Sequence, residues 1–502
     1  MAAYFLGADN GCTVAKAALF TADGRELAVA SRKVAALAGP AGWSEVDMTA
    51  SWRATAESIR QVLAAARVNP AEIACVACTG HGNGLYLVGP QGEPVRNAIL
   101  SMDNRARAYV ERWRAAGVDR AVRPKTMQSL WAAQPNALLA WLADHEPQTL
   151  ARAGWALMCK DYIRFRLTGQ IAAELTDMSG TSLLNVGKAD YDADVLAAFG
   201  IEQLRRLLPP LVRSAEVCGK VSAAATAETG LAEGTPVAGG LFDVDACGLS
   251  SGLTDEAPLS IVAGTWGCNQ YVSRTPVADD GVFMTSCYAM PGWYLMLEGS
   301  PTSASNLEWF VTEFFAAERE AAERDGGSVF DLCNRLVAET TPEETDLVFL
   351  PFLYGTHAHA DAKASFVGLG GWHRRGHVLR AIYEGVAMAH RWHVERLLRH
   401  RPRPQCLRLT GGAARSPQWL QVFADCFQLP VEVPAGTELG ALGAAMCAAV
   451  AAGCYADFPA AVAAMVRFDR RQQPDAARGP VYDAKYARYQ KLIAALDGLW
   501  PL

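Results

Sequence analysis

No apolar run in this chain approaches the ~20 residues that a helix needs to cross a bilayer, so a membrane protein is not expected. The N-terminus carries no basic stretch, apolar core and cleavage site in succession; it moves straight into a strand pattern, and a cytoplasmic location is the expectation. Positive charge is in short supply: the formal net charge is −6, without the basic patch or stripe that a nucleic-acid partner would want. Low-complexity segments and long charge runs are missing too. The 13 cysteines form no framework. Several, such as Cys75, Cys247 and Cys447, sit in apolar contexts and read as reduced core residues. Cys75 and Cys78 make a C-x-x-C inside an apolar run, with no second pair at zinc spacing, so a structural role is expected. His357, His359 and Asp361 lie in a Gly/His/Ala loop after a strand over residues 347–352; with no further ligand group nearby, they read as a polar loop near a cleft and not as a metal site.

What is present is an alternation of helices and strands through 502 residues, 51% apolar and 20% charged. This predicts the α/β class, in two domains because the chain is long for one core. Residues 49–68 place Trp52, Ile59, Val62, Leu63 and Ala66 largely on one helical face, and Asn69-Pro70 ends that helix. A strand over 73–78, a glycine turn over 79–84 and a strand over 85–88 follow, and Pro90 to Pro94 closes a hairpin-like segment. From about 128 to 234 the pattern is more helical, an elaboration on the first core. A second cycle begins near 258: strand, the turn Gly264-Thr265-Trp266-Gly267, then strand again. It repeats the layout of residues 4–20, so one architectural unit is expected twice. The predicted domains are 1–246 and 247–502, with 247–258 as hinge and two facing lobes. A strand over 406–410 runs into Gly411-Gly412-Ala413-Ala414-Arg415, and Ser416-Pro417 opens a helix as N-cap and first-turn proline. Another helix starts at Thr437-Glu438. Its Gly440, Ala441, Gly443, Ala444 and Ala445 either admit a flat ligand to the backbone or pack tightly on another helix.

Chemistry concentrates in the turns. Tyr4-Phe5-Leu6 delivers Asp9 into Asn10-Gly11-Cys12-Thr13, and the chain leaves through Lys16 as a second strand. A P-loop would need Gly-Lys-Ser/Thr before a helix, and a Rossmann turn a third glycine opening one. Here backbone N–H groups of Asn10, Gly11, Cys12 and Thr13 can form an anion-binding concavity. Asp9 beside it suits Mg²⁺, which takes few carboxylates and several waters; an ordinary Asn-Gly hairpin is the alternative. After Gly239-Gly240, Asp243 is brought to the interlobe edge. A carboxylate next to a substrate hydroxyl is what phosphoryl transfer asks of protein chemistry. Asp245 is its rival, since a step of two puts both on one strand face, and a buried capping role is open to either. Asp103 and Arg105 pair an acceptor with a planar donor, able to grip sugar hydroxyls or to form a surface ion pair. His81 and Asn83, flanking Gly82, add donors and acceptors without a basic cluster, which favours a neutral hydroxylated substrate over a phosphorylated one.

Together, Asp9-Asn10-Gly11-Cys12-Thr13, Asp103-x-Arg105, Gly239-Gly240-Leu241-Phe242-Asp243, Gly264-Thr265-Trp266-Gly267 and Gly411-Gly412-Ala413-Ala414-Arg415-Ser416 resemble the FGGY family of carbohydrate kinases, in order and over nearly the whole chain. The resemblance implies an actin-like fold of two ribonuclease-H-like lobes, each on a mixed sheet, with ATP and sugar in the cleft. Residues 1–246 would be the sugar-binding lobe and 247–502 the nucleotide-binding lobe. By the same resemblance Asp9 holds Mg²⁺, and Asn10, Gly11, Thr13 and Lys16 form the first phosphate turn. Asp243 is the general base and Gly264-Thr265 the second phosphate turn. Gly411, Gly412, Ala413 and Ser416 line the adenosine pocket, while His81, Gly82, Asn83, Asp103, Arg105 and Asp243 meet the sugar. Cys12 stands where the family often has threonine.

Within the family, Gly80-His81-Gly82-Asn83-Gly84-Leu85, Asn97-Ala98-Ile99-Leu100-Ser101 and Glu298-Gly299-Ser300-Pro301-Thr302-Ser303 resemble the branch acting on L-xylulose and related sugars. D-Xylulose kinases typically carry Gln-Met-His-Gly in that turn and a tryptophan before Asp-x-Arg. The expected activity is ATP-dependent phosphorylation of a ketopentose, xylulose (L- or D-) to xylulose 5-phosphate, in carbohydrate catabolism. Kinases of ribulose, glycerol or erythritol, and a non-catalytic actin-like ATP-binding protein, are the alternatives. The expected partner is a small sugar, with no nucleic acid or membrane and a homodimer as candidate assembly.

Overall fold

The computed structural model describes residues 4–356 and 361–500, so the loop at His357 and His359 lies outside the described residues. No helix among the described residues is long and apolar enough to cross a membrane. Packing divides the chain into two compact units, both discontinuous in sequence. The first takes the chain up to Thr254 with Val272–Met296 and Gly436–Val466; the second takes Asp255–Tyr271, Leu297–Ala435 and the chain from Arg467 onward. These differ from the contiguous halves 1–246 and 247–502 expected above.

In the first unit the strand Tyr4–Asn10 pairs antiparallel with Val14–Thr21, which pairs with Glu26–Lys33. On its other side Tyr4–Asn10 runs parallel to Ile73–Gly80, followed outward by Pro236–Ala238 and Val217–Lys220. A sheet covered on both faces needs apolar residues at successive positions, and Phe5, Leu6 and Ala8 are fully buried. One cover is the helix Met48–Ala66, capped by Asp47 and bearing Trp52, Ile59, Val62 and Leu63 on its buried side. It stops at Arg67, whose φ of 53° puts it in the left-handed region, ahead of the Asn69-Pro70 signal. Against the sheet also packs Leu439–Ala451, buried along most of its length. A side chain at Gly7 would collide with the backbone of Ala441, and one at Gly443 with the backbone of Ala246. Ala441 and Gly443 therefore serve close packing, not admission of a flat ligand. A second apolar core gathers the helices Arg107–Ala115 and Pro135–His145 through Val110, Trp113, Leu138 and Trp141, so it starts ahead of the elaboration expected from about 128.

The second unit repeats the first unit's pairing. Pro258–Ala263 is flanked by Gly267–Ser273, antiparallel, and by Cys406–Thr410, parallel; Val431–Pro434 and Phe468–Gln472 continue the order. In both, a hairpin is followed after a long excursion by a parallel strand on the hairpin's first member. Cys75 and Cys78 lie buried on Ile73–Gly80, where burial pushes each thiol up to about 12, consistent with a structural role.

Candidate active site

In the first unit, the hairpin register sets Asp9 opposite Lys16 and Asn10 opposite Ala15. Gly11 N–H closes the turn on the Val14 carbonyl at 3.0 Å, so it is spent within the backbone. The N–H groups of Cys12 and Thr13 have no hydrogen-bond partner among the described residues. Asn10 is buried: its Nδ2 donates to Thr55 Oγ1 at 2.6 Å and its Oδ1 has no partner among the described residues. Lys16 is drawn away from the turn by Glu438, 2.8 Å from its Nζ. Asp9 is partly exposed, and burial raises its carboxyl to about 6 against the pull of Lys16. A cradle with free N–H groups beside a carboxylate that lacks a close counter-ion would suit an anion with an oxygen-liganded divalent cation next to it.

Asp243 and Asp245 open a helix, Asp243–Ser250, with Phe242 as N-cap. They were expected on one strand face; a helix turns ~100° per residue, so a step of two sends them to different sides. Asp245 is fully buried and its Oδ1 accepts the Ala289 N–H at 3.1 Å. Asp243 stays partly exposed. Burial, then the nearby Asp9 carboxylate, push its carboxyl up to about 7. Asp9, Cys12 and His81 all act electrostatically on Asp243, so the two aspartates singled out from distant segments do converge.

The turn at His81 is tied to this site by its own N–H, which donates to the Asn10 carbonyl at 2.9 Å. His81 Nε2 pairs with Tyr86 Oη at 3.0 Å, and its Nδ1 is buried without a partner among the described residues. Asn83 has φ of 60° and a buried, unpartnered Oδ1; asparagine tolerates that left-handed backbone better than most residues. Gly82 faces Phe242, whose ring would collide with any added Cβ. Cys12 Sγ lies 3.3 Å from Ser101 Oγ. Burial opposes ionisation of this thiol, but His81 and Ser101 bring it down to about 7.

Asp103 and Arg105 form a buried pair. Arg105 Nε and Nη2 each reach an Asp103 oxygen at 2.8 Å, and Nη2 also reaches Glu45 at 2.7 Å. Asp103 further accepts the Ser44 N–H, and the guanidinium stacks 3.8 Å over Trp43. Both Asp103 oxygens are thus engaged inside the protein; Arg105 Nη1, buried without a partner among the described residues, is the donor left over. Glu45 and Trp43 carried no signal in the sequence beyond an ordinary polar turn.

In the second unit, Gly264, Thr265, Gly412 and Ser416 line one cavity of about 590 Å³, together with Asn334, Tyr383 and Trp419. Ser416 caps Pro417–Phe427 as expected, accepting the Trp419 N–H at 3.1 Å while donating to Asn334 Oδ1 at 2.6 Å. Tyr383 stacks on Trp419 with centroids 4.4 Å apart. Gly411 and Ala413 are not among the lining residues. Gly411, at φ of 85°, passes so close to Ala263 that a side chain would collide with its backbone, and Ala413 is fully buried. They shape the turn that presents Gly412 and Ser416. The segment from Glu298 to Ser303 supports the other turn: Ser303 Oγ meets His390 Nε2 at 2.8 Å behind Gly267.

Similarity to known proteins identifies the kind of molecule these turns belong to. The FGGY family of carbohydrate kinases matches with its N-terminal domain over residues 4–250 and with its C-terminal domain over 259–452. The L-xylulose/3-keto-L-gulonate kinase of Escherichia coli (strain K12) is 38% identical over 501 residues, 99% of this chain and 98% of that protein. A probable L-xylulose kinase of Pasteurella multocida (strain Pm70) is 36% identical over 500 residues, 99% of each. The crystal structure of xylulose kinase from Rhodospirillum rubrum matches with a TM-score of 0.87 at 28% identity, covering 99% of this chain and 100% of that one. With both domains matched in order and relatives aligned over nearly their whole length, this sugar kinase belongs to the FGGY family of carbohydrate kinases.

Proposed function

We propose that the enzyme transfers the γ-phosphoryl group of ATP to a terminal hydroxyl of a ketopentose, xylulose, yielding xylulose 5-phosphate and ADP. The observation that carries this reading is Asp243: a partly exposed carboxylate beside Asp9, its carboxyl pushed up to about 7. A general base is most effective when its pKa lies near the working pH. As the sugar oxygen attacks phosphorus, its proton passes to an Asp243 oxygen, and the bond to the departing ADP oxygen breaks. The free N–H groups of Cys12 and Thr13 stabilise phosphate oxygens as charge develops on them. Asp9 would hold a Mg²⁺ ion, which when bound would help neutralise that charge. Gly264, Thr265, Gly412 and Ser416, on the wall of the 590 Å³ cavity, receive the nucleotide.

Support for a neutral sugar comes from Arg105, whose charge is already balanced by Asp103 and Glu45, so it offers no unbalanced charge to a substrate carboxylate. The kinship to L-xylulose kinases supports a five-carbon ketose. The test is ATP consumption on D-xylulose, L-xylulose, ribulose, glycerol and erythritol side by side. One xylulose epimer is expected to exceed ribulose, glycerol and erythritol by roughly tenfold or more in kcat/KM, since one mismatched buried hydroxyl costs ~1–3 kcal/mol. Preference for erythritol, glycerol or ribulose would reassign the substrate within the family.

A further inference from the structure

We infer that a fully buried charged network positions Asp243, and that the Thr176 hydroxyl is the contact through which it does so; this rests on the reading of Asp243 as proton acceptor. The network is Lys160, Asp161, Arg164, Glu174 and Asp177, none with any side-chain exposure. Lys160 Nζ lies 3.0 Å from Asp161, 3.3 Å from Glu174 and 3.5 Å from Asp177. Arg164 meets Asp161 at 2.8 Å and donates to the Gly239 carbonyl at 2.6 Å. Glu174 accepts from Ser214 Oγ at 2.8 Å and from the Thr176 N–H at 3.0 Å. Its other oxygen accepts the Thr176 hydroxyl at 2.8 Å. With its one proton given to a carboxylate, Thr176 Oγ1 turns a lone pair outward and accepts the Phe242 N–H at 2.9 Å.

Phe242 is the N-cap of the helix on which Asp243 is the first residue. The segment from Gly239 to Asp243 is therefore held near both ends, by Arg164 on the Gly239 carbonyl and by Thr176 on the Phe242 amide. Stability alone does not account for such a network, because desolvating paired charges commonly offsets their attraction. A chain of charge-assisted hydrogen bonds does impose direction and distance. Misplacing a reacting group by ~1 Å costs on the order of a hundredfold in rate. Thr176 is thus a positioning residue, not a catalytic one.

The test compares Thr176→Val, which keeps the shape and removes both hydrogen bonds, with Thr176→Ser, which restores the hydroxyl. We expect valine to lower kcat roughly ten- to hundredfold while KM for sugar and for ATP stays within about threefold, the mark of an interaction that matters in the transition state. Serine should recover kcat to within about threefold. Thr229→Val makes the same chemical change away from the site, since Thr229 donates to the Ala225 carbonyl at 2.7 Å and accepts the Leu231 N–H at 3.2 Å. It should leave kcat unchanged. In an Asp243→Asn background, Thr176→Val should cause no further loss, because it acts through Asp243. Should the valine protein not fold, Thr176→Ala is read by the same criteria. Full activity of the valine or alanine protein while Asp243→Asn is inactive overturns the inference, as does equal loss in serine and valine. An active Asp243→Asn overturns instead the reading on which it rests.

Discussion

A carboxylate that accepts a proton near neutral pH needs burial without a close cation, and Asp243 has that setting: its carboxyl rises to about 7 beside Asp9. Asp243→Asn is expected to lose ~10²–10⁴ in kcat while binding nucleotide normally, which titration with a fluorescent ATP analogue will check. The same shift has a sign for stability. A folded pKa of about 7 against ~3.9 unfolded means the folded protein holds the proton more tightly. The penalty for burying the charge is full above pH 7 and fades as pH falls towards 4. Metal-free Asp243→Asn should therefore melt above the parent at pH 8, with the gap narrowing between pH 7 and 4; a gap that widens on acidification contradicts the shift. For the sugar, His81 Nδ1 and Asn83 Oδ1 are buried without partners among the described residues, whereas both Asp103 oxygens are engaged. Replacing His81 or Asn83 should change the ratio of activities on D- and L-xylulose, while Arg105 variants should depress both by a common factor. A common factor for His81 and Asn83 as well would remove them from stereochemical recognition.

At the scale of elements, the Leu439–Ala451 helix separates two consequences of small residues. A Cβ on Gly443 meets the backbone of Ala246, while one on Gly440 meets only the carboxylate of Asp9. Gly443→Ala should destabilise by about 1–3 kcal/mol through overpacking, seen as a lower Tm. Gly440→Ala should keep or slightly raise Tm, since alanine favours a helix by up to ~1 kcal/mol, yet lower Mg²⁺-dependent turnover by displacing Asp9. These elements also show what the amino-acid pattern discloses. The strand–turn–strand units, the Ser416 N-cap and the Met48–Ala66 helix were legible because hydrophobic period, cap chemistry and turn glycines are local signals. The Asp243 helix was not, because eight residues with buried polar side chains carry no amphipathic stripe. The small residues of Leu439–Ala451 announce a close approach without naming its partner. Lys160, Asp161 and Arg164 have the spacing of any solvated helix face, and only the tertiary structure shows them sealed. Asp9 and Asp243 were legible as carboxylates beside glycine turns, and the structure brings them together, while the Asp103–Arg105 pair was legible as a pair but not as one enclosed by Trp43 and Glu45.

At the scale of the whole molecule, the two compact units borrow from each other's stretch of sequence. The first includes Gly436–Val466, whose helix covers the central strand at Gly7. A chain ended at residue 435 should thus lose the fold of the first unit, although residues 1–254 remain intact. Cooperative unfolding followed by tryptophan fluorescence will test this, and a sharp transition retained in the truncated protein would show that the helix is dispensable.

The same arrangement sets a schedule on the ribosome. The sheet of the first unit is complete once residue 242 has been made, but its covering helix lies beyond residue 436. At roughly 5–20 residues per second, the nascent first unit has only its Met48–Ala66 cover, without the Leu439–Ala451 helix, for about 10–40 s. For that interval the apolar surface that the helix will cover is open to solvent or to transient collapse.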